Sequence, residues 1–159
     1  MARKTIYILN GPNLNLLGSR ETSLYGTMDL ASLDALCIEQ GKALELSVDC
    51  RQSNHEGDLI DWIQEGSHQA QGLIINAGGF THSSIAIMDA LRAFEKPAIE
   101  VHLSNIFQRE PYRHTSYISK AVKGIISGLG PMGYQVALIA LADTLNEKVV
   151  KKNKGKGSK

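Results

Sequence analysis

Apolar and polar positions alternate along this chain in two distinct rhythms. Ile6-Tyr7-Ile8-Leu9 is a short unbroken apolar run halted by the breaker cluster Asn10-Gly11-Pro12, and Gly72-Leu73-Ile74-Ile75 is another, halted by Asn76-Ala77-Gly78-Gly79. Runs of that length, closed by turn residues, read as strands. Leu46-Ser47-Val48-Asp49-Cys50 alternates with period two, as a strand with unlike faces does. Ala98-Ile99-Glu100-Val101, entered through Pro97, and Gly124-Ile125-Ile126 supply two more strands. The other rhythm is helical. Between Asp29 and Leu44, the residues Leu30, Leu33, Leu36, Cys37 and Leu44 fall at helical spacing, with Thr27 or Asp29 as the cap. Asn54 is placed to cap a helix through Leu59, Ile60, Trp62 and Ile63. Ile85 to Phe94 forms a third helical pattern, and Pro131 to Lys148, rich in Ala and Leu, a fourth.

Five strands alternating with helices specify βαβ units, a parallel sheet and right-handed crossovers. The expected fold class is α/β, flavodoxin-like, with a five-stranded parallel sheet of order 2-1-3-4-5 and helices on both faces. That order puts a switch point between the first and third strands, and ligands bind beyond the carboxyl ends of strands there. No repeat or linker divides the chain, so residues 1–150 are expected to form one catalytic domain. Residues 151–159, all Lys, Asn, Gly and Ser, are expected to be a disordered Lys-rich tail.

Composition narrows the class without naming a chemistry. The chain has 159 residues, 43% hydrophobic and 21% charged, which lies in the globular range. A formal net charge of +1 provides no bulk attraction to nucleic acid or to a membrane surface, and neither is expected as a partner. No apolar run approaches the 18 residues of a membrane span, and the N-terminus lacks the apolar stretch of a signal peptide, so the expected location is the cytoplasm. Cys37 and Cys50 share no CxxC spacing and read as buried, reduced packing residues.

Chemistry concentrates after particular strands. The first is followed by Asn10-Gly11-Pro12-Asn13-Leu14-Asn15-Leu16-Leu17-Gly18-Ser19-Arg20-Glu21 and then Tyr25-Gly26. Asn76 to Ser83, including Thr81-His82, follows the third; His102-Leu103-Ser104-Asn105, Arg109-Glu110 and Arg113 follow the fourth. The long first connection exceeds what a βα loop needs and reads as a lid. Each residue has an ordinary alternative. Arg20 can pair with Glu21 at the surface, and Tyr25 can cover the core. Asn76 can serve a turn, His82 and Ser83 can cap a helix, and His102 can be a core histidine bonded to backbone. His55, His68 and His114 read as surface or capping residues.

Several activities are excluded. No GxGxxG or GxxxxGK[ST] cradles a nucleotide, no GxSxG elbow presents a serine, and the histidines lack the spacing of a zinc site. The remaining Tyr, His, Arg, Asn and Ser suit proton transfer on an anionic small molecule without metal or cofactor. The rival is a flavodoxin-like module binding FMN or a small anion. It would need a hydroxyl-rich phosphate loop, where Asn13 to Gly18 offers two asparagines and three leucines.

At these segments the sequence resembles the type II 3-dehydroquinate dehydratase family. The matching stretches are Asn10 to Glu21 with Tyr25-Gly26, Asn76-Ala77-Gly78 with Thr81-His82-Ser83, and Glu100 to Asn105. Arg109-Glu110, Arg113, Ser116-Tyr117, Gly128-Leu129-Gly130 and Gly133-Tyr134 complete a likeness spanning residues 5 to 146. The resemblance implies loss of water from 3-dehydroquinate to give 3-dehydroshikimate, with no cofactor. It makes Tyr25 the base at C2, Arg20 the group holding that tyrosine ionised, and Asn13 the holder of a water on the enolate oxygen. His102 becomes the acid toward the C1 hydroxyl. Asn76, His82, Leu103, Ser104 and Arg113 become the substrate's binding groups, Glu100 an orienter of His102, and Arg109 a lid residue. Asp89 matches a position that reaches a neighbouring subunit, since the family assembles as trimers grouped into a dodecamer. Thr22, Gln108 and Pro111-Tyr112 depart from the commoner pattern around the lid.

The base assignment carries an energetic requirement. Free tyrosine titrates near 10, so a base acting at pH 7 needs about 4 kcal/mol of help. One arginine at roughly 4 Å in an effective dielectric near 20 supplies about that, before the opposing cost of desolvation. Two arginines would suffice comfortably.

Overall fold

A computed structural model describes residues 2–156 of the chain; the side chains of Tyr25 and of residues 148–156 lie outside that description. Five parallel strands form a single sheet in the order β2-β1-β3-β4-β5. They are β1 (Lys4–Asn10), β2 (Leu46–Gln52), β3 (Gly72–Asn76), β4 (Ala98–His102) and β5 (Gly124–Ser127). This is the flavodoxin-like order read from the sequence, and its reversal lies between β1 and β3. The helices are α1 (Thr22–Tyr25), α2 (Leu30–Ala43), α3 (Glu56–Gln69), α4 (Ile85–Phe94) and α5 (Met132–Lys156).

Two separate cores explain why the central strands read as unbroken apolar runs. Ile6 and Ile8 of β1 point into a cluster with Leu33 and Cys37 of α2 and Leu138 and Leu141 of α5. Tyr7 and Leu9, one residue out of phase, point into the opposite cluster with Leu59 and Ile63 of α3 and Leu91 and Phe94 of α4. A strand covered on both faces has no position where a polar residue is cheap. Strand β2, at the sheet edge, buries Leu46, exposes Ser47 and leaves the rest half-buried, so polar Ser47 and Asp49 are tolerated between its apolar residues.

Helix starts show where local chemistry departs from the pattern. Asp29 caps α2 by accepting the Ser32 N–H at 2.8 Å, as expected. Ser84, rather than His82 or Ser83, caps α4 by accepting the Ile87 N–H at 2.9 Å. Asn54 does not cap α3. The cap residue is His55, which makes no side-chain cap bond, and Glu56 and Asp58 place negative charge on the first turn. The Asn54 carboxamide instead accepts the backbone N–H of Asn13 at 3.0 Å, tying the connection after β1 to the one after β2.

Cys37 is buried as expected, but Cys50 is only half-buried, because it sits on the edge strand; both are free thiols. Helix α5 continues to Lys156, so residues 151–156 have helical backbone where the composition pointed to a disordered end. Lysine is a good helix former, and a helix already nucleated against the core extends by one hydrogen bond per residue. Residues 157–159 of that expected tail lie outside the described residues. Among the described residues, no helix is long and apolar enough to cross a membrane.

Candidate active site

At the switch point two asparagines form a floor. Asn10 ends β1 and Asn76 ends β3, and the two are register partners across the parallel ladder. Beneath them Tyr134 of α5, fully buried, bonds to both. Its hydroxyl donates to Asn10 Oδ1 at 2.7 Å and accepts from Asn76 Nδ2 at 3.0 Å. Burial pushes the Tyr134 phenol well above its ordinary pKa, so it remains a neutral hydroxyl and is no candidate base. Asn76 Oδ1 also accepts the Gly78 N–H at 3.2 Å. The turn expected of Asn76 is therefore present, alongside its second bond to Tyr134. Gly11 has no room for a side chain, since a Cβ there would lie 2.5 Å from the Ala77 carbonyl oxygen.

The wall beside β3 and β4 carries the histidines. Asn76 directs the chain into a 3-10 turn, Gly78–His82, which delivers His82. Its Nδ1 lies 2.8 Å from the Thr115 carbonyl oxygen, so Nδ1 is the donor and Nε2 keeps a lone pair when the ring is neutral. Burial, and then the nearby His102 and Arg113, lower the His82 pKa, which favours that neutral form. His82 is thus tied to a carbonyl instead of capping a helix. His102 ends β4, with Nε2 2.6 Å from Glu100 Oε1. Glu100 is completely buried and His102 nearly so. A carboxylate acceptor fixes Nε2 as the donor and leaves Nδ1 as the nitrogen able to exchange a proton elsewhere. The core-histidine alternative is half right: His102 is buried, but it bonds a carboxylate and not backbone. Its ring stacks on that of His82 with centroids 6.4 Å apart.

Arginines arrive from two loops. Arg109 Nη1 donates to Ser104 Oγ at 3.3 Å, and Arg113 Nε donates to Glu110 Oε2 at 2.8 Å. The Glu110 backbone N–H and then Arg113 hold the Glu110 carboxyl at a pKa of about 2, so it is ionised throughout any working pH. His114, given no role from sequence, meets the Arg109 carbonyl oxygen at 3.1 Å and braces this loop. From the other side Arg20 meets Glu21 at 3.0 Å, the surface pair considered from sequence, while also lining the cavity. Tyr25 ends α1, which starts from Glu21 at φ 44° and stops at Gly26 with φ 77° and ψ −171°. The backbone of Gly26 occupies a region that only glycine adopts readily.

These groups enclose a cavity of about 140 Å³. Asn13, Arg20 and Asn76 line it from the β1 and β3 ends; His82, His102, Leu103 and Ser104 form its wall; Arg109 and Arg113 border the loop side. Leu14, Leu17 and Ile106, which sequence reasoning did not single out, add its apolar lining. Among the described lining residues three side chains are arginines and none is a carboxylate, so the cavity favours an anion. Glu100 stands behind His102. Asp89 is not brought into the cavity; it sits exposed on α4, 3.6 Å from Arg92. The side chain of Tyr25 lies outside the described residues. Two clefts of about 460 Å³ are larger, but no histidine lines either. Among the described residues, no three His, Cys, Asp or Glu converge as a metal site.

Comparison with known proteins agrees with this geometry. The Dehydroquinase class II family model matches residues 4–142. The chain is 52% identical over 140 residues to a 3-dehydroquinate dehydratase of Rhodopseudomonas palustris (strain HaA2), covering 87% of this chain and 93% of that one. It is also 52% identical over 143 residues to the 3-dehydroquinate dehydratase of Mesorhizobium japonicum, covering 89% and 99%. The solved structure of type II dehydroquinase from Propionibacterium acnes superposes with a TM-score of 0.86 at 45% identity, covering 88% of this chain and 97% of that one. Each of these relatives bears a dehydroquinase or 3-dehydroquinate dehydratase name, which does not favour the flavodoxin-like FMN or small-anion binding module considered from sequence. The chain belongs to the class II dehydroquinase family.

Proposed function

We propose that the arginine-lined cavity dehydrates 3-dehydroquinate to 3-dehydroshikimate by paired acid and base catalysis, the chain being a 3-dehydroquinate dehydratase of type II. Tyr25, as phenolate, removes the C2 proton, and the electron pair moves onto the C3 carbonyl to give an enolate. Arg20 favours the phenolate and the developing charge, with Arg109 beside it on the lid side. Asn13 holds a water that donates to the enolate oxygen. Collapse of the enolate expels the C1 hydroxyl, which leaves as water by taking a proton from His102, the ring oriented by Glu100. Neutral His82 accepts from a substrate hydroxyl through Nε2, Asn76 bonds a second, and Arg113 with the backbone of Leu103 and Ser104 takes the carboxylate. Every proton has a side-chain donor or acceptor, so the sequence of steps calls on no cofactor.

The observation that carries this reading is the buried Glu100–His102 pair, at 2.6 Å, opening on a cavity lined by Arg20, Arg109 and Arg113. The test is direct: 3-dehydroquinate added to purified protein, without nucleotide or metal, is expected to raise ultraviolet absorbance as the conjugated enone forms. A flat trace sinks the proposal. Borohydride with substrate is expected to leave the enzyme active, because no Schiff-base lysine takes part.

The working unit is a homo-oligomer, trimers grouped into a dodecamer, of a cytoplasmic protein whose residues 1–150 form one catalytic domain. Exposed Ile125 on edge strand β5 and exposed Leu129, Met132, Val136 and Ile139 leading into and along α5 support assembly. Asp89, exposed on α4, would reach a neighbour's cavity. Light scattering of the intact chain tests this, and a monomer would refute it.

A further inference from the structure

Glu100 is held unevenly. His102 Nε2 at 2.6 Å and Ser116 Oγ at 2.8 Å both address its Oε1. Its Oε2 is buried with no hydrogen-bond partner. A carboxylate bonded through one oxygen, and this close to an imidazole, needs something to fix its orientation and keep it anionic. The Ser116 hydroxyl is built for that. The Ser119 backbone N–H donates to Ser116 Oγ at 2.9 Å, which occupies a lone pair and leaves the hydroxyl proton directed to Glu100. The adjoining residues hold the other histidine. Thr115 supplies the carbonyl that bonds His82 Nδ1, and the Tyr117 N–H donates to the Thr81 carbonyl oxygen at 2.9 Å. One short segment, 115–117, therefore sets the proton positions on both rings of the wall.

We infer that Ser116 is a positioning residue for the acid step, acting through Glu100 to keep the His102 Nε2–H committed to the carboxylate and the transferable proton on Nδ1. The inference rests on His102 being the acid, as proposed above. A hydrogen bond donated to a carboxylate stabilises the anion, most of all when the imidazole beside it is neutral. Removing the bond makes the Glu100–His102 pair hold its proton more tightly, which makes a weaker acid. The other charged or titratable groups facing the pair are His82 from the turn after β3, Arg109 and Arg113 from the loop after β4, and Arg20 from the connection after β1. Among the described residues Ser116 Oγ bonds Glu100 Oε1 and the Ser119 N–H, so a change produced by deleting that hydroxyl reports on Glu100.

The experiment compares Ser116→Ala and Ser116→Thr in the full chain, reading kcat and KM against pH and the ¹⁵N resonances of the His102 ring without substrate. Ser116→Ala is expected to lower kcat by about tenfold, the equivalent of roughly one pKa unit of acid strength. KM should hold within about twofold, and the alkaline limb of the kcat profile should move up by about one unit. The His102 resonances should shift, and Ser116→Thr should restore all three readouts. A folded Ser116→Ala variant with unmoved resonances and an unmoved limb overturns the inference, as does a loss that threonine fails to rescue. His102→Ala, run in parallel, separates the two claims: if it keeps turnover, the acid assignment itself has failed, whatever the Ser116 variants do.

Discussion

The two sides of the crevice are made of different material. On the β4 side the proposed acid, His102, is buried, two residues from another buried titratable group on the same strand, and bonded to it at 2.6 Å before any substrate arrives. On the β1 side Arg20 and Glu21 are a partly exposed pair, α1 is a four-residue helix, and Gly26 ends it in a backbone region reserved for glycine. An acid that must carry a proton at neutral pH needs a fixed partner. A base that needs low dielectric only during turnover can instead be delivered by a segment that closes. Stability and catalysis should therefore separate on the β1 side and travel together on the β4 side.

The strongest test of that separation is Tyr25→Phe. It is expected to lower turnover by about 10⁴-fold, the upper range for loss of a proton-transfer group. Substrate binding, measured by calorimetry, should persist and the melting temperature should hardly move. Retained turnover refutes the base assignment.

His102→Ala is expected to cost about 10³-fold in turnover. Unlike the tyrosine change it should also unsettle the fold, because Glu100 would be left in the interior with Ser116 as its one remaining donor. Leaving a buried charge without its partner costs on the order of 3 kcal/mol. For a chain of this size that is a fall in Tm of about 6–12 °C by scanning calorimetry. An unchanged Tm would mean that Glu100 is protonated and the pair is not ionic.

Matched glycine substitutions sharpen the contrast without touching a reacting group. Gly11→Ala drives a methyl to 2.5 Å from the Ala77 carbonyl oxygen, backbone against backbone, where nothing flexible can yield. Overpacking of this kind costs about 1–3 kcal/mol and should appear in Tm. Gly26→Ala meets no atom within 4 Å among the described residues beyond its chain neighbours, so its main penalty is backbone strain at φ 77°. Because that strain falls on an exposed connection, kcat and KM should change together while Tm stays put. The reverse result, with Gly26→Ala melting early and Gly11→Ala merely slow, would invert the comparison.

How much of this was legible in the sequence follows from how far apart the partners lie. Strands β1 and β3 were plain because both their faces are covered, whereas Glu100 beside His102 came only from the family likeness, although the two stand i, i+2 on one face of β4. The helix starts were half legible: Asp29 bonds within its own turn, whereas Asn54 is drawn away by Asn13, 41 residues distant. Tyr134 reaches Asn10 across 124 residues, and no local periodicity records such a bond. Ser116 was one residue of a family likeness with no role attached, since its meaning depends on a carboxylate 16 positions back on another element. The short 3-10 turns that present His82 and the arginines were not read at all. Turns such as Gly78–His82 are organised by single side-chain-to-backbone bonds rather than by any repeating pattern.

The smallest expected effect belongs to His82, which sits between the two regimes, half-buried and bonded to a loop carbonyl. Its pKa in the folded protein is lowered, chiefly by burial, so the unfolded chain binds this proton more readily than the native one. Stability must then rise with pH wherever the unfolded state carries the extra proton. The window begins at the unfolded histidine value, near 6.5, and extends downward to the depressed native value. Above it the neutral ring costs nothing; through it, acidification erodes stability; below it the slope vanishes. Wild type should therefore lose Tm relative to His82→Gln as pH is taken from 7 toward 5, while KM rises because protonated Nε2 no longer accepts a substrate hydroxyl. A Tm difference between the two proteins that is constant across that range would show that His82 titrates normally, and that the β3 wall is wetter than the β4 strand behind it.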